Sequence, residues 1–206
     1  LVEKSDRLGG MLNNIDQLYP YMQNAGQVVA EFIRRVEENP RIKVFLNKTV
    51  EQVFGYVGNF ETNLAENGSP ETILKFGNII VATGLRPYDP SGIENYGYGV
   101  LPNVITSLDM EAMLKKGNIR TKGGRIPRHI AIIHCVGSRN DKYHSYCSRV
   151  CCNTALKQAR QVKRALPEAG IYELYADMRA IGKGSEEFYT AQFGHDNMFI
   201  MFDQRK

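Results

Sequence analysis

The chain has 206 residues, a net charge of +4, 43% hydrophobic and 23% charged residues, a composition of ordinary globular protein with room for one large domain or two small ones. No apolar run reaches the ~18 residues of a membrane helix, Leu1-Val2-Glu3-Lys4 is too short and polar to read as a secretory signal, and no basic block stands out. The densest basic stretch, Arg120 to Arg128, carries four charges among Gly and Pro, which reads as a solvated loop and argues against nucleic-acid binding. A start inside a strand-like run, without an initiator Met, reads as an internal fragment of a longer chain.

Residues Leu1 to Glu3 read as the end of a strand, and Lys4 to Gly10 as a loop closing on a glycine pair. Val28, Val29, Phe32, Ile33 and Val36 recur at helical spacing, which predicts a helix over 25–38, stopped by Asn39-Pro40. Strands follow at 42–46, 50–57 and 59–64, and Asn67-Gly68-Ser69-Pro70 reads as a turn between hairpin strands. The run 76–82 reads as a buried strand ending at Thr83-Gly84. A loop rich in Gly, Pro and Tyr then leads to a short helix over 109–116. A second α/β unit starts with a strand at 129–134. Its helix covers 151–166, with Leu156, Ala159, Val162 and Leu166 on one face. A strand at 171–176, a helix at 186–193 and a strand at 198–202 complete it. The expected division is a first, partial domain over 1–116, a linker over 117–128 and a cysteine-bearing α/β unit over 129–206.

The four cysteines all lie within the 18 residues from Cys135 to Cys152. Disulfides that staple a fold usually join distant segments, so this clustering points to metal ligation in a reducing compartment, and a cytoplasmic location is expected. Cys135 is followed after eleven residues by Cys147, after three more by Cys151, then at once by Cys152. Four convergent thiolates suit a [4Fe–4S] cluster. Cys147 and Cys151 stand one helical turn apart, whereas adjacent residues on a helix point about 100° apart. Cys151-Cys152 therefore belongs at a helix start or an irregular turn. Zinc is the rival, with His134 or His144 able to replace a cysteine, although zinc prefers paired knuckles. Four buried or free thiols are the plainest alternative.

Two further features are of dinucleotide-fold type. Glu3 ends an apolar strand, as does the acidic residue that binds an adenosine ribose, and Gly9 and Gly10 would let backbone approach a phosphate. Ile79-Ile80-Val81-Ala82-Thr83-Gly84-Leu85-Arg86-Pro87 is a buried-strand pattern running into a small-residue turn, suited to close approach of a ligand. A Gly-x-Gly-x-x-Gly loop is absent from the chain, and with it the helix terminus that would hold the phosphates.

The runs Cys135-Val136-Gly137-Ser138-Arg139, Tyr146-Cys147-Ser148-Arg149-Val150-Cys151-Cys152 and Asp177-Met178-Arg179-Ala180-Ile181-Gly182-Lys183-Gly184 resemble the A-subunit of heterodisulfide reductase and its homologues in quinone-interacting oxidoreductase complexes. Glu186-Glu187-Phe188-Tyr189, Gly55-Tyr56-Val57-Gly58-Asn59-Phe60 and the Ala-Thr-Gly turn fit the same family. The resemblance implies an α/β fold of thioredoxin-reductase type: an incomplete FAD-binding Rossmann-like domain beside a second nucleotide-binding-like unit. It implies FAD and a [4Fe–4S] cluster, with Cys135, Cys147, Cys151 and Cys152 as cluster ligands. Glu3 and Lys4 would hold the FAD ribose side, Gly9, Gly10, Thr83 and Gly84 would line FAD, and Lys157 would answer the charge of reduced flavin. It further implies an electron-transfer oxidoreductase, able in some members to bifurcate electrons, in a hetero-oligomer with other heterodisulfide-reductase-type subunits. Ferredoxin, a hydrogenase or a dehydrogenase would donate electrons, and any membrane association would be indirect. The segment 16–24 lacks the extra cysteine of many members, the ferredoxin-like cluster domains are absent, and the fragment alone is expected to be inactive.

Two other functions compete: a zinc-stabilised interaction module on a degenerate flavin fold, and a flavin-dependent disulfide reductase, for which Cys147-x-x-x-Cys151 is a poor redox pair. Asp109, Glu111 and His144 read as solvated groups, with acid–base work near a flavin as the alternative.

Overall fold

The computed structural model describes residues 1–66, 69–192 and 197–202. In chain order the elements are a small hairpin, β1 (Gln17–Leu18) and β2 (Gln23–Asn24), then α1 (Ala25–Glu37), β3 (Thr49–Tyr56), β4 (Asn59–Glu66) and β5 (Ser69–Phe76). After a long irregular stretch come α2 (Ser107–Lys115), β6 (His129–Ile133), α3 (Cys151–Ala165), β7 (Gly170–Tyr175), α4 (Ser185–Thr190) and β8 (Asn197–Met201). They form two compact units. Unit 1 takes Leu1–Asn13 and Gly26–Arg86, and unit 2 takes Asn14–Ala25 and Pro87–Lys206.

Unit 1 is built from α1 and an antiparallel meander in the order β3-β4-β5. On α1, Val29 is buried while Arg34 and Arg35 pair with Glu31 and Glu38 on the solvent side, where water screens the pairs. β3 is exposed along its whole length, whereas β4 buries Thr62, Leu64 and Ala65, and Phe60 and Phe76 meet across the strands with ring centroids 5.9 Å apart. Gly55 sits at φ +93°, and a Cβ there would stand 2.1 Å from the Asn59 carbonyl oxygen, so the β3–β4 connection requires glycine. The strand expected over 42–46 is reduced to one parallel bridge between Val2 and Phe45, with Glu3 N–H donating to Phe45 O and Phe45 N–H to Leu1 O. The turn expected at Asn67-Gly68 lies outside the described residues.

The buried strand expected over 76–82 is not formed. Phe76 closes β5, and residues 78–89 pair with no strand. Ile80 is 90% and Val81 78% exposed. An apolar run becomes a strand only where a neighbour takes up its N–H and C=O groups, and among the described residues no strand of unit 1 flanks this one.

Unit 2 is a parallel sheet in the order β6-β7-β8, with α3 crossing from β6 to β7 and α4 following β7, the repeat of doubly wound α/β folds. Met110, Ile119, Ala159, Val162 and Ile171 make its core, with Ile130, Ile132 and Leu166 packed against them. The expected apolar face of α3 is the buried one: Leu156, Ala159 and Val162 have no exposure. Pro167 follows its last turn and cannot continue it. Residues 117–128, read from the sequence as a linker, contribute Ile119 to this core. Segment Asn14–Ala25 belongs to this unit although its neighbours in sequence on both sides belong to unit 1.

Candidate functional site

The cysteines occupy the loop from β6 to α3 and the first turn of α3. Ligand-binding groups of open parallel sheets gather at the C-terminal ends of strands, and this loop leaves the C-terminal end of β6. Cys135 (φ +57°), Arg139 (φ +57°) and Arg149 (φ +64°) are all left-handed without being glycine. Each costs roughly 1–3 kcal/mol, a strain that persists where surrounding contacts dictate the shape. Those contacts are a bridge between Ser138 and His144, and the Arg139 and Asn140 N–H groups donating to Tyr146 O and His144 O at 3.0 Å. Gly137 (φ +71°) lies under Tyr88, whose ring would stand 2.5 Å from a Cβ. Tyr88 meets His144 edge-on, and His144 stacks on Tyr146.

Below the loop, His134 Nε2 contacts Glu173 Oε2 of β7, both side chains fully buried. His134 is therefore engaged inside the sheet, away from the zinc-ligand role open to it in the sequence. The other Glu173 oxygen has no partner among the described residues.

All four cysteines are free thiols, with Cys135 and Cys152 buried and Cys147 and Cys151 half-buried. Cys151 and Cys152 open α3, the first of the two places the vicinal pair allows. Cys147 lies in the irregular segment before the helix, so it does not share a helical turn with Cys151. The Cys135 and Cys152 thiols lie within hydrogen-bonding reach of the Cys151 sulfur, an interaction that lowers the Cys151 thiol and, with burial, raises its two neighbours. A helix N-terminus favours the same thiolate. Further N–H groups aim at sulfur: Arg149 N–H donates to Cys147 Sγ at 3.3 Å and Arg179 N–H to Cys152 Sγ at 3.4 Å. Among the described residues no three His, Cys, Asp or Glu side chains converge where one metal ion would sit. The all-sulfur donor set and the N–H groups on it fit an iron–sulfur cluster.

Lys157, expected near a flavin, is 2% exposed, and its ammonium donates to Glu111 Oε1 at 2.5 Å. Burial lowers its pKa, opposed by the Glu111 carboxylate. Gln158 donates to the same oxygen at 2.6 Å, Asp16 N–H to the other at 3.1 Å, and Gln161 to Asp16 at 2.6 Å. Glu111 is thus a buried anchor between α2, α3 and segment Asn14–Ala25, where the sequence suggested a solvated group. Asp109 caps α2 through a capping box with Thr106, and His144 is exposed.

The flavin-type residues lie in unit 1. Glu3 accepts Ser5 N–H at 2.8 Å, which lowers its pKa. Gly9 and Gly10 both have positive φ, and a Cβ on Gly9 would stand 2.9 Å from Asn13 and Val29, whereas Gly10 faces open space. Lys4, Thr83 and Gly84 are exposed, and the run that carries Thr83-Gly84 joins no sheet. Glu3 and the glycine pair are compatible with a nucleotide.

No protein-family model matches the sequence. The first of two iron-sulfur A-subunits of CoB–CoM heterodisulfide reductase from Methanopyrus kandleri is 30% identical over 284 aligned residues, which take in 94% of this chain and 42% of that protein. The alignment is longer than the chain, so a long stretch of that relative has no counterpart here. The A-subunit of the H2/formate:CoB–CoM heterodisulfide, ferredoxin reductase of Methanococcus maripaludis is 46% identical over 134 residues, 60% of this chain and 20% of that protein. The chain thus spans less than half the length of these relatives. Among solved structures, bacillithiol disulfide reductase from Bacillus cereus is 16% identical with TM-score 0.49, covering 97% of this chain and 59% of that one. L-proline dehydrogenase from P. horikoshii is 14% identical with TM-score 0.45, covering 89% and 31%. The α/β assignment rests on strand order and crossovers rather than on these distant likenesses. Over the residues it spans, the chain belongs to the family of heterodisulfide reductase A-subunits.

Proposed function

We propose that this chain is part of an electron-transfer oxidoreductase of heterodisulfide-reductase type, in which Cys135, Cys147, Cys151 and Cys152 hold a [4Fe–4S] cluster. The observation that carries the reading is the placement of Cys135 just beyond a parallel strand and of Cys151 and Cys152 at the start of the following helix, with backbone N–H groups aimed at the Cys147 and Cys152 sulfurs. The names of the relatives, which describe an iron-sulfur A-subunit and the A-subunit of a ferredoxin reductase, support it. Such a cluster supplies a one-electron relay. The chain's own residues prepare for it by holding a thiolate at Cys151, directing N–H groups at Cys147 and Cys152, and burying Cys135.

FAD is the second cofactor of the reading, with Glu3, Lys4, Gly9, Gly10, Thr83 and Gly84 proposed against it. Lys157 is proposed as the cation that answers flavin charge, with Glu111 as its present counter-ion. Exchange of electrons with FAD, bifurcation, and assembly with further subunits and a ferredoxin, hydrogenase or dehydrogenase donor are proposed at the level of the whole protein. Among the described residues no helix is long and apolar enough to cross a membrane. Four free thiols suit a reducing, cytoplasmic compartment.

The test is anaerobic reconstitution followed by metal and acid-labile sulfide analysis of the full chain. Iron and sulfide in equal amounts, with a visible band that reductant bleaches, is the expected result. Zinc without iron would favour the interaction-module reading and remove this one.

A further inference from the structure

Asp177 stands two residues beyond the end of β7, as Cys135 stands two residues beyond the end of β6, and the two strands pair in parallel. Asp177 Oδ1 binds Arg139 Nη1, and Asp177 Oδ2 accepts from Arg179 Nε at 3.2 Å. Both arginines also reach a cysteine. Arg179 donates its backbone N–H to Cys152 Sγ at 3.4 Å, and the Arg139 guanidinium lies within hydrogen-bonding reach of the Cys135 thiol. One carboxylate therefore organises contacts to two of the four sulfurs, one from each end of the cysteine constellation. Two guanidinium groups against one carboxylate leave this edge with one net positive charge. Arg139 keeps its left-handed backbone and its side chain is only 25% exposed, whereas Asp177 is 47% exposed, so solvent screens the carboxylate more than the guanidinium.

We propose that Arg139, Asp177 and Arg179 form a charge bracket that sets the reduction potential of the cluster held by Cys135, Cys147, Cys151 and Cys152. The proposal rests on the reading of those cysteines as cluster ligands. Reduction adds one negative charge to the cluster. A cation against the Cys135 sulfur favours that added charge and raises the potential, and a carboxylate behind the cation moderates the rise. Hydrogen bonds to cluster sulfurs act in the same direction. Arg139 and Asp177 are positioning residues for the thiolates. They ligate nothing themselves.

The test is a dithionite redox titration of the full, anaerobically reconstituted chain, followed by EPR, with iron and sulfide counts for every variant. Arg139→Gln should shift the reduction equilibrium about threefold to tenfold toward the oxidised cluster, up to 59 mV for a one-electron couple. Asp177→Asn keeps an oxygen for the guanidinium but removes the charge, and should shift the equilibrium the opposite way. Arg139→Lys should restore most of the wild-type value. A purely structural role would change iron content without moving the two potentials in opposite directions. Loaded variants that all titrate within twofold of wild type overturn the bracket and leave the cluster assignment intact. If Arg139→Gln fails to load, Asp177→Asn decides alone, and an unmoved potential overturns the proposal. A wild-type chain without iron and sulfide overturns the cluster assignment itself.

Discussion

Both units contain an apolar run that leads into a turn with glycine: Ile130-Ala131-Ile132-Ile133 ahead of Cys135-Val136-Gly137, and Ile79-Ile80-Val81 ahead of Thr83-Gly84. In unit 2 the run is β6, paired with β7, and the turn that follows is fixed by ring contacts, a buried His–Glu contact and N–H groups on sulfur. In unit 1 the run pairs with nothing, and its central residues are open to solvent. The same pattern thus yields a built site where a neighbouring strand is at hand and an unformed one where it is not. A site of this kind is a property of the sheet beneath it as much as of the residues that line it.

The sharpest way to break the comparison is at the cysteines. Cys151→Ser removes the sulfur within reach of both the Cys135 and Cys152 thiols, and the reconstituted chain should lose most of its iron, read by metal analysis. A variant that keeps full iron content would show that Cys151 is dispensable and that these three sulfurs are not the heart of the site.

The next largest effect is expected at Lys157. Lys157→Met leaves Glu111 buried with two hydrogen bonds and no counter-charge, which should cost about 3–5 kcal/mol in urea unfolding. The double variant with Glu111→Leu should recover a large part of that loss, because the buried charge leaves together with its partner. If both variants unfold like wild type, the pair is solvated in solution and segment Asn14–Ala25 is not anchored through it.

A smaller loss is expected from Gly137→Ala, about 1–3 kcal/mol, since alanine must hold a left-handed φ and displace the Tyr88 ring. Tyr88→Ala in the same chain should return the space but not the backbone strain, so the recovery should be partial. The smallest effect belongs to unit 1. Ile80→Thr at a 90% exposed position should change the stability of this chain by less than about 0.5 kcal/mol. A loss comparable to that of Gly137→Ala would mean that Ile80 is covered in solution and that the two units differ less than the structure indicates.

Much of unit 2 was legible in the sequence because its signals are local. The spacing of Leu156, Ala159 and Val162 pointed to α3, and the vicinal cysteines to a helix start or an irregular turn, of which they take the helix start. What was hidden depends on partners distant in sequence. Glu111 read as a solvated group and Lys157 as a cation reaching toward a flavin, and only packing of α2 against α3 buries them together. Glu173 did leave a signal: it alternates with Ile171 on the inward face of an apolar strand, where a carboxylate needs a buried partner. Thr106-x-x-Asp109 is likewise a capping-box pattern that could have removed Asp109 from the acid–base candidates. Asp177 left none, because its link to Arg139 crosses from one strand end to the next. The strand expected over 76–82 failed for the complementary reason: composition reports the wish to be buried, not the presence of a neighbour.

Whether the cysteines of unit 2 form one iron–sulfur centre is tested most directly by Mössbauer spectroscopy of the full chain reconstituted with iron-57. The expected spectrum shows one population of iron in tetrahedral sulfur coordination with the electrons shared across a cubane, present in wild type and lost in Cys151→Ser. Isolated high-spin iron, or a spectrum that Cys151→Ser leaves unchanged, would contradict that centre.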